Sequence, residues 1–173
     1  MSILRDTRSM VILALFIALN IVLTRFLAIE TPIIRITFSF LPIAMSAMFF
    51  GPIPAGMAAA VADIVGFALF ARGGTFFPGF TLSAFLTGSI YGFALYRNKP
   101  VNVFRVGIAA FLIAFGVNLG LNTYWLTFLT GSSFFALLPP RAVTQVAMFP
   151  LQIISITWAW RYLSRFAVGR EMG

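Results

Sequence analysis

The chain has 173 residues, of which 61% are hydrophobic and only 9% charged, with a mean hydropathy of +1.01 and a net charge of +8. A soluble domain needs far more polar surface, so these apolar runs must meet lipid and satisfy their backbone groups internally. There is no cysteine and no histidine, and the only acids are Asp6, Glu30, Asp63 and Glu171. That leaves almost nothing from which to build a disulfide, a metal site or a hydrolytic centre. The basic residues are dispersed among apolar segments rather than gathered in a patch, a pattern of membrane topology signals and not of nucleic-acid binding.

The runs show no strict alternation, which predicts helices rather than a barrel. At roughly 20 residues per crossing, the first span covers about 9–28 and the second about 37–50. The first has no small-residue cleavage site before Thr24-Arg25, so it reads as a mature helix and not a secretory signal. Gly51-Pro52-Ile53-Pro54 stops the second. By the same length rule the third span is about 55–71, with Asp63 in its middle, and the fourth about 80–96. After the break Arg97-Asn98-Lys99-Pro100 comes the longest span, about 106–130. Gly131-Ser132-Ser133 and Pro139-Pro140 bracket the connection to the last, about 141–161. The expected fold is an all-α membrane protein, a single bundle of about six transmembrane helices over residues 1–173. No repeat, separate soluble domain or nucleotide-binding domain is visible, so this chain cannot itself use ATP.

An even number of spans puts both termini on one side. That side holds Arg5, Arg8, Arg97, Lys99, Arg105, Arg161, Arg165 and Arg170, eight of the 12 basic residues, and is expected to be cytoplasmic. Arg25, Arg35, Arg72 and Arg141 fall on the other side, against the rule. Guanidinium groups grip carboxylates and phosphates bidentately, so this group, opposed by Glu30 and Asp63, points to an anion pocket. Each arginine alone is also compatible with snorkelling to lipid headgroups.

Arg141, Gln145, Met148 and Gln152 recur on one face of the last span, and Asn118, Asn122 and Trp125 on one face of the fifth. Amides facing lipid are costly, so both faces point inward. They would line a cavity with hydrogen-bonding groups and an aromatic plate suited to a flat heteroaromatic ring, or bond helix to helix with no ligand. Asp63 lies on a face with Gly56, Ala59 and Gly66, and either accepts from a ligand amino group or pairs with an arginine. The segment Thr75-Phe76-Phe77-Pro78-Gly79-Phe80-Thr81 opens the fourth span with free helix amides and phenylalanines fit for a lid, or for an ordinary interfacial loop. Ala14-x-x-x-Ala18 is a small-residue face that lets another helix approach.

At these residues the sequence resembles the substrate-binding S components of the energy-coupling factor (ECF) vitamin transporters, and most of all the folate-type members. The resemblance spans nearly the whole chain. It is carried by Ala14 and Ala18, Phe50-Gly51-Pro52, Ala62-Asp63, Phe77-Pro78-Gly79-Phe80-Thr81-Leu82-Ser83 and Gly88-Ser89-Ile90-Tyr91-Gly92. Leu121-Asn122-Thr123-Tyr124-Trp125-Leu126, and Arg141 running on to Met148-Phe149-Pro150-Leu151-Gln152, fit the folate type more narrowly.

The resemblance implies a cell-membrane protein, multi-pass and prokaryotic, that binds folate from outside and performs no covalent chemistry. It implies a transmembrane coupling (T) subunit facing Ala14 and Ala18, and two ABC-type ATPases that use the ATP, with no cofactor or metal in this chain. The bundle would topple in the membrane to deliver its cargo. Phe77, Pro78, Gly79 and Phe80 would form a gating loop. The expected substrate contacts are Arg25, Arg35, Asp63, Arg72, Phe77, Phe80, Thr81, Asn118, Asn122, Trp125, Arg141 and Gln145. With the pterin deepest, Asn118, Asn122 and Gln145 would touch it, and Arg35 or Arg72 would meet the glutamate near the entrance. The alternatives are an S component for another vitamin or heteroaromatic compound, such as pantothenate, riboflavin or a queuosine precursor, or a stand-alone secondary transporter. The last needs coupling-ion carboxylates and commonly repeats, neither of which the sequence offers.

Overall fold

A computed structural model describes residues 7–30, 35–70, 76–96 and 102–168. Among these residues the chain forms six helical rods: α1 Thr7–Arg25, α2 Phe40–Phe50, α3 Pro52–Leu69, α4 Pro78–Leu95, α5 Val103–Thr130 and α6 Phe134–Val168. Between α1 and α2 a short antiparallel ribbon pairs β1 Ile29–Glu30 with β2 Arg35–Ile36, setting Glu30 opposite Arg35. By length and composition α1, α3, α5 and the Phe134–Tyr162 stretch of α6 can cross a membrane, and α2 is a shorter apolar helix. Large apolar side chains such as Leu15, Ile64, Phe93 and Ile154 point outward, as they must in lipid.

Prolines explain most differences from the predicted boundaries. The stop expected over Gly51–Pro54 shrinks to Gly51, whose φ of 87° is glycine territory and whose amide closes α2 on the Ala47 carbonyl at 3.0 Å. Pro52 then opens α3 at its first position, earlier than about 55, because a first turn does not use the missing N–H. Pro78 opens α4 in the same way.

The largest departure is α6, which begins at Phe134 instead of near 141 and runs straight through Pro139, Pro140 and Pro150. The Ser133 carbonyl accepts from the Ala136 and Leu137 amides, and Thr144 Oγ1 donates to the Pro140 carbonyl at 3.0 Å. Interior proline costs about 3 kcal/mol or more in a helix. In lipid an irregular segment would leave more polar groups bare than the prolines do, so the helix persists. Within α5, Leu112–Leu121 is π-helical, between α-helical Val103–Phe111 and Asn122–Thr130. Such wide turns re-aim side chains and concentrate at functional sites.

The bundle divides into a solid end and a hollow end. Tyr91 and Leu95 of α4, Ala47 of α2, Ala55 of α3, Val106 and Ala109 of α5 and Ile156 of α6 are buried together in the solid end. There α3 and α4 meet backbone to backbone. A Cβ on Gly88 would stand 2.5 Å from the Ala55 carbonyl oxygen, and one on Gly92 would stand 2.2 Å from Pro52 Cα. No side chain fits between them.

Candidate functional site

The hollow end contains a cavity of about 190 Å³. Its lining comes from the C-terminal parts of α1, α3 and α5 and the N-terminal parts of α2, α4 and α6, which the up-and-down chain path brings to one end. The wall is unusually polar for a protein so apolar outside.

α5 and α6 supply a chain of amides. Asn122 Nδ2 donates to Asn118 Oδ1 at 3.1 Å, and Asn118 Nδ2 donates to Gln145 Oε1 at 3.4 Å. Asn118 is thereby satisfied, and the two ends of the chain stay open. Asn122 Oδ1 is buried with no partner among the described residues, and Gln145 lines the cavity with its amide nitrogen free of any partner there. One end therefore offers an acceptor and the other a donor. The π-helical turn carries Asn118 into this position, and Arg141 Nη2 holds that turn by donating to the Asn118 carbonyl at 3.1 Å.

α1 contributes Asn20 and Arg25, its only buried residues. Asn20 Oδ1 is a second buried acceptor without a partner among the described residues. The Arg25 guanidinium donates to the Phe70 carbonyl at 3.5 Å and lies 5.7 Å from the centre of the Phe67 ring. Asp63 of α3 lines the cavity and accepts from Thr81 Oγ1 at 2.8 Å. The wall thus holds a cation, an anion and several amides, enough to read the edge of a polar ring.

Of the expected site residues, Arg25, Asp63, Phe80, Asn118, Asn122 and Gln145 line the cavity. Thr81 reaches it through Asp63. Trp125 is behind the wall instead of forming a plate within it. Its Nε1 donates to Ser83 Oγ at 3.2 Å, Phe77 packs on its ring at 5.6 Å, and Gly79 lies so close that a Cβ there would come within 2.6 Å of the indole. The segment expected as a gating loop supplies the extended cap Phe77 and the first turn of α4, Pro78, Gly79 and Phe80. Arg141 grips backbone. Arg35 is described only as backbone in β2, and Arg72 lies outside the described residues, so Arg25 is the one outer arginine seen at the cavity.

Sequence reading missed Asn20, Thr24, Ser83 and Thr87. Asn20 had a signal, being the lone amide of an apolar helix. Ser83 ends the segment that carries the resemblance, whereas Thr24 and Thr87 had no signal, because both bond carbonyls of their own helices and such residues are tolerated anywhere along a span.

Residues 8–158 match the family described as ECF transporter, substrate-specific component. The chain is 46% identical over 165 residues to "Folate transporter FolT" of Clostridium novyi (strain NT), covering 95% of each. It is 34% identical over 153 residues to the protein of that name from Leuconostoc mesenteroides subsp. mesenteroides, covering 86% of this chain and 82% of the relative. Among solved structures, "Crystal structure of FolT bound with folic acid" matches with a TM-score of 0.86 at 38% identity, over 91% of this chain and 95% of that one. A multi-pass apolar bundle with a polar cavity at one end, matched along most of its length in sequence and in fold, belongs to the substrate-specific components of the ECF transporters, which are transporter subunits and not enzymes.

Proposed function

We propose that this chain is the folate-binding S component of an ECF transporter. It captures folate from outside a prokaryotic cell and hands it inward with a transmembrane coupling subunit and two ATPases, which use the ATP. Both termini are cytoplasmic, so the hollow end faces outward. The observation that carries this reading is the amide chain Asn122–Asn118–Gln145, open as acceptor at one end and donor at the other, inside a fold shared with a FolT that holds folic acid.

A pterin ring presents amino and N–H donors beside oxo and ring-nitrogen acceptors, the complement of that chain together with the Asp63 carboxylate. Drug-sized ligands occupy pockets of about 300–1,000 Å³, and folate is of that class. A cavity of about 190 Å³ takes only part of it. The flat ring goes in, and the dianionic glutamate is left toward the entrance, where Arg35 and Arg72 would meet it. Arg25 supplies a fixed positive charge at the wall.

Calorimetry on detergent-purified protein tests this. Folate is expected to bind stoichiometrically, and pterin fluorescence to accompany the protein through purification. A preparation that ignores folate and binds another vitamin would retain the family and overturn the substrate.

A further inference from the structure

Gln152 and Tyr91 sit where the polar cavity meets the solid core. Gln152 lines the cavity, is 4% exposed, and lies two helical turns beyond Gln145 on the same face of α6. At ~1.5 Å per residue it is about 10 Å deeper. Tyr91 of α4 is 0% exposed, packed in the apolar cluster that includes Ala47, Ile113 and Ile156. The hydroxyl at its tip donates to Gln152 Oε1 at 3.5 Å. A buried tyrosine hydroxyl needs a partner, and here it takes the acceptor half of the amide. Gln152 Nε2 has no partner among the described residues and is what the amide has left to offer the cavity.

We infer that Gln152 forms the floor of the binding site and donates a hydrogen bond to the deepest acceptor atom of the ligand. Tyr91 is a positioning residue that fixes which way the amide points. An amide free to flip would serve donor and acceptor ligands alike. One pinned through its oxygen favours a ligand with an acceptor at that depth, since a donor there would face another donor at a buried position. The inference rests on the folate reading for the identity of the ligand. The pterin ring meets the requirement with its oxo group or a ring nitrogen.

The test is a double-mutant cycle on the full chain in detergent, read as calorimetric folate affinity. Tyr91→Phe is expected to weaken binding about three- to tenfold and Gln152→Met about ten- to a hundredfold. The double variant should be no weaker than Gln152→Met, because Tyr91 acts only through that amide. Gln152→Asn, which keeps an amide but withdraws it from both partners, supplies the same arm if the methionine variant does not fold. Unchanged affinity in the Gln152 variants overturns the inference. So does a Tyr91→Phe loss that persists undiminished in the Gln152→Met background, which is what a packing role alone would give. Wild-type protein that binds no folate overturns the functional reading instead.

Discussion

Asn122 lines the cavity with a side chain whose two ends are treated differently. Its nitrogen is used inside the protein and its oxygen is not, although that oxygen is buried. An unmet acceptor costs about 1–3 kcal/mol, so Asn122→Leu removes a penalty as well as a bond. The ligand-free variant is expected to melt within a few degrees of wild type, while folate affinity falls about ten- to a hundredfold. Melting curves and calorimetry together check this, and equal losses in both would mark Asn122 as structural. The inward amides of α5 and α6 were legible in the sequence because an amide within an apolar span has few uses. Depth was not legible. Spacing puts Trp125 on the same face as Asn118 and Asn122, but only the packing of Phe77 and Gly79 against its ring shows that it backs the wall.

At the level of helices, the sequence conveyed number and order well and their ends less well. Proline and glycine mark breaks in water, and the same residues in lipid begin a helix at Pro52 and Pro78 or pass within one at Pro139, Pro140 and Pro150. The π-helical Leu112–Leu121 interrupts what the apolar run alone presents as one uniform span. The α3–α4 seam was half legible. The small residues were visible, and their backbone contact was not. Gly92→Ala is expected to destabilise the protein by about 1–3 kcal/mol through overpacking, because its Cβ would fall 2.2 Å from Pro52 Cα. Gly116→Ala, with nothing within 4 Å, should be neutral. Thermal melting in detergent compares the two, and equal tolerance would mean that the seam can part.

For the whole molecule, the division of labour is spatial: one end solid, the other hollow, and the outside greasy. Ala14 and Ala18 are exposed on α1, on the same side of the helix as Arg25 but about 10 Å or more nearer its N-terminus. If that flank receives the coupling subunit, Ala14→Trp leaves folate affinity unchanged and abolishes co-purification with the coupling subunit and ATP-driven uptake. Weakened folate binding without loss of co-purification would place the flank inside the protein's own packing. Two of the outer arginines have described surroundings. Arg25 faces the cavity, while Arg141 braces the turn that carries Asn118.

The seam between α3 and α4 also constrains how these two helices can move. Neighbouring helices ordinarily shear past one another because the side chains between them yield. Where Gly88 rests on the Ala55 carbonyl and Gly92 on Pro52 Cα, no yielding layer exists. The two helices are thus joined backbone to backbone at the sealed-core end and carry cavity-lining residues toward the other end. Two helices joined in this way resist sliding along their seam, so a displacement of one carries the other with it.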